Sequence, residues 1–294
     1  MNTKTKLGVH LIAEIGCNHM GSLEMAKKMV HQAKTFCQVD YVKFQKRNPK
    51  ELLTPIEYRQ PHPNPAHAFG ESYGLHREAL EFDIDKHREL LEYCQSLGIG
   101  YFTSVWDLTS AREVNGLRPE IVKIPSACNR CEPLLNYLCQ EFAGDIHVSV
   151  GMTTRKEEEQ IVETFEKNKR LSNLVIYSCT SGYPVKDFEV CLLEIRRLVD
   201  LYGRSVKGIG FSGHHNGIAI DIAAMALGAE WIERHFTLDR TLKGTDHAAS
   251  LEPDGMRRLA RDLKSVHAAM AFKSEEILPV ETTQRKKLKR LQAS

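Results

Sequence analysis

The 294-residue chain reads as one (β/α)8 barrel, and three observations carry that reading. Eight short apolar runs recur between Val9 and His235, each followed by helical or loop material. Such alternation builds a parallel sheet covered by helices, here closed into a barrel. Many of the runs end in polar or charged residues, the edge where a barrel gathers its chemistry. No GxGxxG follows the first run, which argues against an open, doubly wound sheet.

Val9–Ile15 is the first strand; Glu14 stands at its end, followed by Gly16, Cys17, Asn18 and His19. Ser22 caps a helix to about Phe36, with Leu23, Ala26, Met29, Val30 and Ala33 at helical spacing. The second strand, Val39–Gln45, ends in Lys43 and Gln45. From Arg47 to Phe82, Pro49, Pro55, Pro61, Pro63 and Pro65 predict an insertion without long regular elements, and a loop of that length is usually functional. Asp85 opens a helix to about Leu97, Ile99–Ser104 is the third strand, and Asp107–Asn115 a short helix. Strands follow at Ile121–Ile124, Ile146–Val150, Leu174–Ser178, Val206–Phe211 and Trp231–His235. Helices intervene at Glu132–Gln140, Thr154–Lys167, Asp187–Tyr202 and Gly217–Leu227, and a last one runs over Asp254–Phe272. The barrel therefore occupies residues 1–273. Residues 274–294 form a tail whose Arg285, Lys286, Lys287, Lys289 and Arg290 suit a solvated, partly helical end.

With 42% hydrophobic and 27% charged residues the composition is that of a soluble globular protein. The net charge of +2, with both signs interspersed, gives no case for nucleic acid or a membrane surface. No run approaches the ~20 apolar residues of a membrane span, and the N-terminus lacks a signal-peptide core, so a cytoplasmic protein is expected. Eight scattered cysteines read as reduced thiols, with Cys128 and Cys131 in a single CxxC that lacks the second pair of a metal site.

If the barrel closes, its strand ends share one mouth. His214 and His235 end successive strands; neighbouring strands lie about 4.8 Å apart, so the two imidazoles either share a metal ion or are separately satisfied. Lys43 and Lys123, with Ser126, Ser149 and Ser212, supply cations and hydroxyls suited to phosphate or carboxylate. Glu14 closes an apolar strand, so its carboxylate is paired, solvated or catalytic. Asp246 lies in a glycine-containing loop beside His247 and serves either a turn or the mouth.

The segments LIAEIGCNHMGSLEMAKKMV, VKFQ, VKIPSA, SVGM, CTSGYP, GFSGHHNG, GAEWIERHFTLDR and GTDHAASLEP resemble, in order and spacing, the sialic acid synthase (N-acetylneuraminate synthase) family over about Leu11 to Pro253. The resemblance implies a (β/α)8 transferase that condenses phosphoenolpyruvate with the open-chain aldehyde of a hexosamine such as N-acetylmannosamine, assisted by a divalent cation, manganese or magnesium. By motif, His214 and His235 correspond to metal ligands. Lys43, Ser104, Lys123, Ser126, Ser149, Ser181 and Ser212 correspond to the donor cradle, while Glu14, Gln45, Tyr183 and Asp246 face the acceptor; Glu14, Asp246 and His235 carry the catalytic roles. A homo-oligomer is implied as well.

The chain departs from that pattern in four places. Thr103, Ser104, Val105, Trp106 and Asp107 stand where the family often has Ser-Thr-Pro-Phe-Asp. Gly213 replaces an aspartate and Ser181 an asparagine. The family's further domain of ~60 residues, which lends an arginine to a partner's site, is expected to be missing. The insertion, with Arg59, His62, His67, His76 and Arg77, is the candidate lid in its place. Two other functions compete: a metal-dependent pyruvate aldolase on the same barrel, and a non-catalytic sugar-binding relative.

Overall fold

The computed structural model describes residues 8–290. Its strands are β1 (His10–Gly16), β2 (Tyr41–Lys46), β3 (Gly100–Val105), β4 (Ile121–Ile124), β5 (Asp145–Ser149), β6 (Leu174–Cys179), β7 (Gly208–Gly213) and β8 (Trp231–His235). They pair in sequence order, all parallel, and β8 returns to β1 to close the barrel.

Side-chain alternation along these strands decides where the site lies, because residues two apart point the same way. Ile12, Phe102, Ile121, Val175, Tyr177 and Trp231 form a dry apolar cluster inside the barrel, and Tyr41 packs against it. Two residues further along the same strands come Glu14, Ser104, Lys123, Cys179, Glu233 and Lys43, all lining one cavity. The apolar layer thus plugs the barrel and the polar layer above it makes the floor of the mouth. Gly210 shows how tight the plug is, since a Cβ there would meet the Tyr177 ring at 2.6 Å. The outward faces of the strands, among them Ala13, Val42, Val122, Val148, Ile176 and Phe211, pack under the helices in a separate, larger core.

Several boundaries differ from the sequence reading, each for a local reason. β7 starts and ends two residues later than expected, because Ser212 and Gly213 pair in register with Cys179 and Glu233, and with Arg234. β5 begins one residue earlier, at Asp145, which pairs with Ile121. The helix expected over 187–202 is a 3-10 turn, Asp187–Glu189, then a helix at Leu193–Tyr202; Cys191, at φ 54, breaks the run between them. In the insertion the prolines start short helices instead of preventing them: Pro49–Leu52 and Pro55–Arg59 have proline in the first turn, where a missing N–H costs nothing. Ser72 then caps a two-turn helix, Tyr73–Leu80. The tail carries a helix at Pro279–Leu288. Cys128 and Cys131 are free, and Cys131 precedes the helix Glu132–Glu141 as its N-cap, so the CxxC is a helix entry.

Candidate active site

Four buried charges form the floor of the mouth. Lys43 Nζ lies 2.7 Å from Glu14 Oε2 and 3.7 Å from Glu233 Oε1. Lys123 Nζ donates to both Glu233 oxygens, at 2.8 and 2.7 Å, and sits 4.2 Å above the Tyr177 ring of the plug. Lys43 also donates to Ser104 Oγ at 2.8 Å, Ser212 Oγ to Glu233 Oε1 at 3.2 Å, and Gln45 Nε2 to Glu14 Oε1 at 3.0 Å. Each of these groups is nearly inaccessible to water, so pairing offsets the cost of its charge.

The two carboxylates are pushed apart. Burial raises Glu14; Lys43 offsets only part of that and Glu233 adds repulsion, so the Glu14 carboxyl lies above the usual range. Burial acts on Glu233 in the same sense, but Lys123 and Lys43 together outweigh it and hold Glu233 low. On Lys43, burial is outweighed by Glu14 and Glu233 and the ammonium is strengthened. For Lys123 burial prevails and its affinity for a proton falls. With Glu14 pushed up to about 7, part of the protein near neutral pH carries this carboxyl protonated, and in that form the floor holds more positive than negative charge, the condition for taking up an anion.

The cavity above this floor is about 260 Å³. Its far wall gathers hydroxyls around a glycine. A Cβ on Gly151 would fall 2.6 Å from Ser181 Oγ and 2.7 Å from Ser126 Oγ, so only glycine lets both hydroxyls converge, and the Gly151 N–H donates to Ser126 Oγ at 3.1 Å. Asn129 Nδ2 fixes the Ser149 carbonyl at 2.9 Å. Hydroxyls and an N–H facing two ammonium groups suit phosphate oxygens.

The same cavity holds the two histidines, ring centroids 5.4 Å apart, with the Tyr183 ring 4.4 Å from His214 and 5.8 Å from His235. His214 Nδ1 donates to the Thr180 carbonyl at 3.0 Å, which leaves Nε2 with the lone pair. His235 Nδ1 is buried without a hydrogen-bond partner, and burial keeps this imidazole below its ordinary pKa despite Asp246. Two imidazoles side by side, one with an orphaned nitrogen, fit a divalent cation. Among the described residues no three His, Cys, Asp or Glu side chains already enclose a metal position, so oxygens from outside the chain would complete such a site.

Twelve of the thirteen site residues expected from the sequence line this cavity: Glu14, Lys43, Gln45, Ser104, Lys123, Ser126, Ser149, Ser181, Tyr183, Ser212, His214 and His235. Asp246 is the exception. It stands at the rim, its Oδ2 3.9 Å from His235 Nδ1 and its Oδ1 accepting from Thr245 at 3.0 Å. Of the candidate lid, His62 and His76 face each other within the insertion, 4.4 Å between centroids, and Arg59 is exposed. His67 reaches across to accept the Gly244 N–H at 3.2 Å, tying the insertion to the loop after β8. Gly213 also finds its reason: a Cβ there would meet Phe211 at 2.8 Å and His215 at 2.9 Å, so the aspartate of the family pattern has no room.

Sequence reasoning missed Glu233, Trp106 and Cys179, which also line the cavity. The signal for Glu233 was available: Trp231, Glu233 and His235 share one face of β8 by period two, and His235 had already marked that face as inward.

Residues 29–275 match the model of the NeuB family. The chain belongs to that family. It is 36% identical to human N-acetylneuraminate-9-phosphate synthase, over 95% of this chain and 76% of that protein. It is 34% identical to an N,N'-diacetyllegionaminic acid synthase of Campylobacter jejuni, over 90% of this chain and 80% of the other. A solved N-acetylneuraminic acid synthetase from Leptospira borgpetersenii superposes with a TM-score of 0.80 at 29% identity, covering 96% of this chain and 93% of that one. The NeuB match takes in seven of the eight strands and begins inside the first helix, so the β1 contribution, Glu14, rests on the geometry.

Proposed function

We propose that the mouth of this barrel condenses phosphoenolpyruvate with the open-chain aldehyde of an amino sugar such as N-acetylmannosamine, giving a nonulosonic acid and inorganic phosphate. The chain is a carbon–carbon bond-forming synthase of the NeuB family, a transferase like its named relatives. The observation that supports this donor is the pair of buried lysines, Lys43 and Lys123, facing the hydroxyls gathered at Gly151. A small dianion with a carboxylate neutralises both ammonium groups at once.

In the reaction, C3 of phosphoenolpyruvate bonds to C1 of the aldehyde, whose oxygen takes a proton. Water adds at C2, the bond from C2 to the phosphate oxygen breaks, and phosphate leaves while the water oxygen remains as the new keto group. Lys43, Lys123, Ser104 and Ser212 hold the carboxylate end of the donor over the floor, and Ser126, Ser149 and Ser181 hold its phosphate. This fixes C3 toward the histidines, converting an encounter of two solutes into a positioned attack. Glu14, its carboxyl pushed up to about 7 by burial, supplies in its protonated form the proton to the developing alkoxide and then as carboxylate takes one from the attacking water. Gln45 and Tyr183 orient the acceptor, and Asp246 acts on His235 from the rim through its charge. A divalent cation, manganese or magnesium, held by His214 and His235 would polarise the acceptor carbonyl.

Stripping the protein with EDTA is expected to lower phosphate release about 100-fold or more, with recovery on adding manganese or magnesium. Release that persists unchanged in EDTA would remove the histidine pair from that role. All eight cysteines are free and no helix among the described residues is long and apolar enough to cross a membrane, which supports a reducing, cytoplasmic setting.

A further inference from the structure

The two floor lysines are held differently. Lys43 has oxygen partners on three side chains, Glu14 at 2.7 Å, Ser104 at 2.8 Å and Glu233 at 3.7 Å, and the two carboxylates outweigh its burial. Lys123 has the Glu233 carboxylate, at 2.8 and 2.7 Å, and there burial prevails. Its further neighbour is a ring. Lys123 Nζ lies 4.2 Å from the centroid of Tyr177, so the negative π face meets a cation in a place almost closed to water, where that attraction is strongest.

The ring is held from two sides. Tyr177 is wholly buried in β6 and pairs with Gly210 of β7, where a Cβ would come within 2.6 Å of its Cδ1 and Cε1, so glycine is what lets the ring lie flat against that strand. Its Oη is 2.8 Å from His147 Nδ1 on β5. Burial raises the phenol well above its ordinary range and holds the imidazole well below its own, which keeps both neutral. With no other hydrogen-bond partner among the described residues, the phenol O–H donates to Nδ1, and a donating phenol carries more electron density on its ring. His147 stands in turn beside Phe102 and Trp231, 5.5 and 4.6 Å between centroids, with both rings steeply inclined to it at 62° and 76°. His147 Nε2 is left buried without a partner. A plug of aliphatic side chains would avoid that cost, so the fold alone does not explain the Tyr177–His147 pair.

We propose that Tyr177, backed by His147, is a positioning residue for the donor: its ring face holds the Lys123 ammonium while Glu233 takes two of the N–H bonds, leaving the third for the anion in the mouth. An ammonium is a point charge with three rotatable donors, so its direction has to come from its partners. The inference rests on the proposed condensation, because it takes that anion to be phosphoenolpyruvate.

The test places phenylalanine and its mono-, di- and trifluoro derivatives at position 177 of the full chain. Fluorine drains the ring face of negative charge while nearly keeping its size. Phosphoenolpyruvate binding is then measured by calorimetry with manganese present and no acceptor. The dissociation constant is expected to rise with each fluorine, by about 10-fold across the series, with the acceptor KM unchanged. Tyr177→Phe itself should stay within about 3-fold of the parent, and Tyr177→Leu should weaken binding as much as the trifluoro ring. A flat series with the fold intact by circular dichroism would reduce Tyr177 to packing and overturn the inference, as would an equal rise in the acceptor KM. The two readings fail differently. No phosphoenolpyruvate binding by the unaltered protein would remove the donor assignment and this inference with it, whereas binding that ignores fluorination removes the role of Tyr177 alone.

Discussion

Lys123→Met is expected to cost ~3–5 kcal/mol of stability and to lower phosphate release by roughly 10²- to 10³-fold, for two separable reasons. The stability loss follows from Glu233, whose buried carboxylate would keep only Lys43 at 3.7 Å and the Ser212 hydroxyl at 3.2 Å as partners. The activity loss follows from the donor, which would meet one ammonium group where it now meets two. Adding Glu233→Gln separates them. The double variant removes the uncompensated carboxylate and should recover most of the denaturation midpoint, yet phosphate release should stay low. A double variant that regains activity along with stability would reduce Lys123 to a structural partner of Glu233.

Arg234→Met is the second large effect, expected at ~3–5 kcal/mol in the same titration. Arg234 is 1% exposed, on the outward face of β8 beside His235. Its Nη1 binds the Asp221 carboxylate, His215 Nε2 at 2.9 Å and the Gly217 carbonyl at 2.8 Å; its Nη2 takes the His215 carbonyl at 2.6 Å. The network has no reserve, since Asp221 Oδ1 and His215 Nδ1 already lack partners. Without the guanidinium, a fully buried aspartate remains and the turn carrying His214 and His215 loses its tie to β8. Turnover should fall along with stability, through displaced histidines. Asp221→Asn in the same chain should restore part of the midpoint, whereas a single Arg234→Met as stable as the parent would mean the network contributes nothing.

These two residues also show what a sequence yields. Strands were legible because each apolar run here is short and buried on both faces, and the polar residue ending each run marked the mouth. Twelve of the expected site residues converge for that reason. Glu233 was passed over because it sits inside a strand, where a lone acid between Ile232 and Arg234 reads as an interruption; only the inward period from His235 reveals it. Asp246 was left between a turn and the mouth, since a loop residue's position is set by turn geometry that no periodicity encodes. The insertion was read as lacking long elements, and its helices are indeed short; they went unread because proline signals a break in the sequence, while in a first turn it starts a helix. Gly213 looked like a lost carboxylate; in three dimensions Phe211 and His215 leave no space for one.

The most direct measurement is phosphate release from phosphoenolpyruvate by the metal-supplemented protein, with and without an N-acetylhexosamine or its phosphate ester. Release that depends on the acceptor, with a sugar acid of matching mass appearing in equal amount, is the result expected from a mouth in which Lys43, Lys123 and the Gly151 hydroxyls hold the donor in the same cavity as His214 and His235. Product formed from pyruvate and the sugar without phosphate, or no release with any such acceptor, would contradict it.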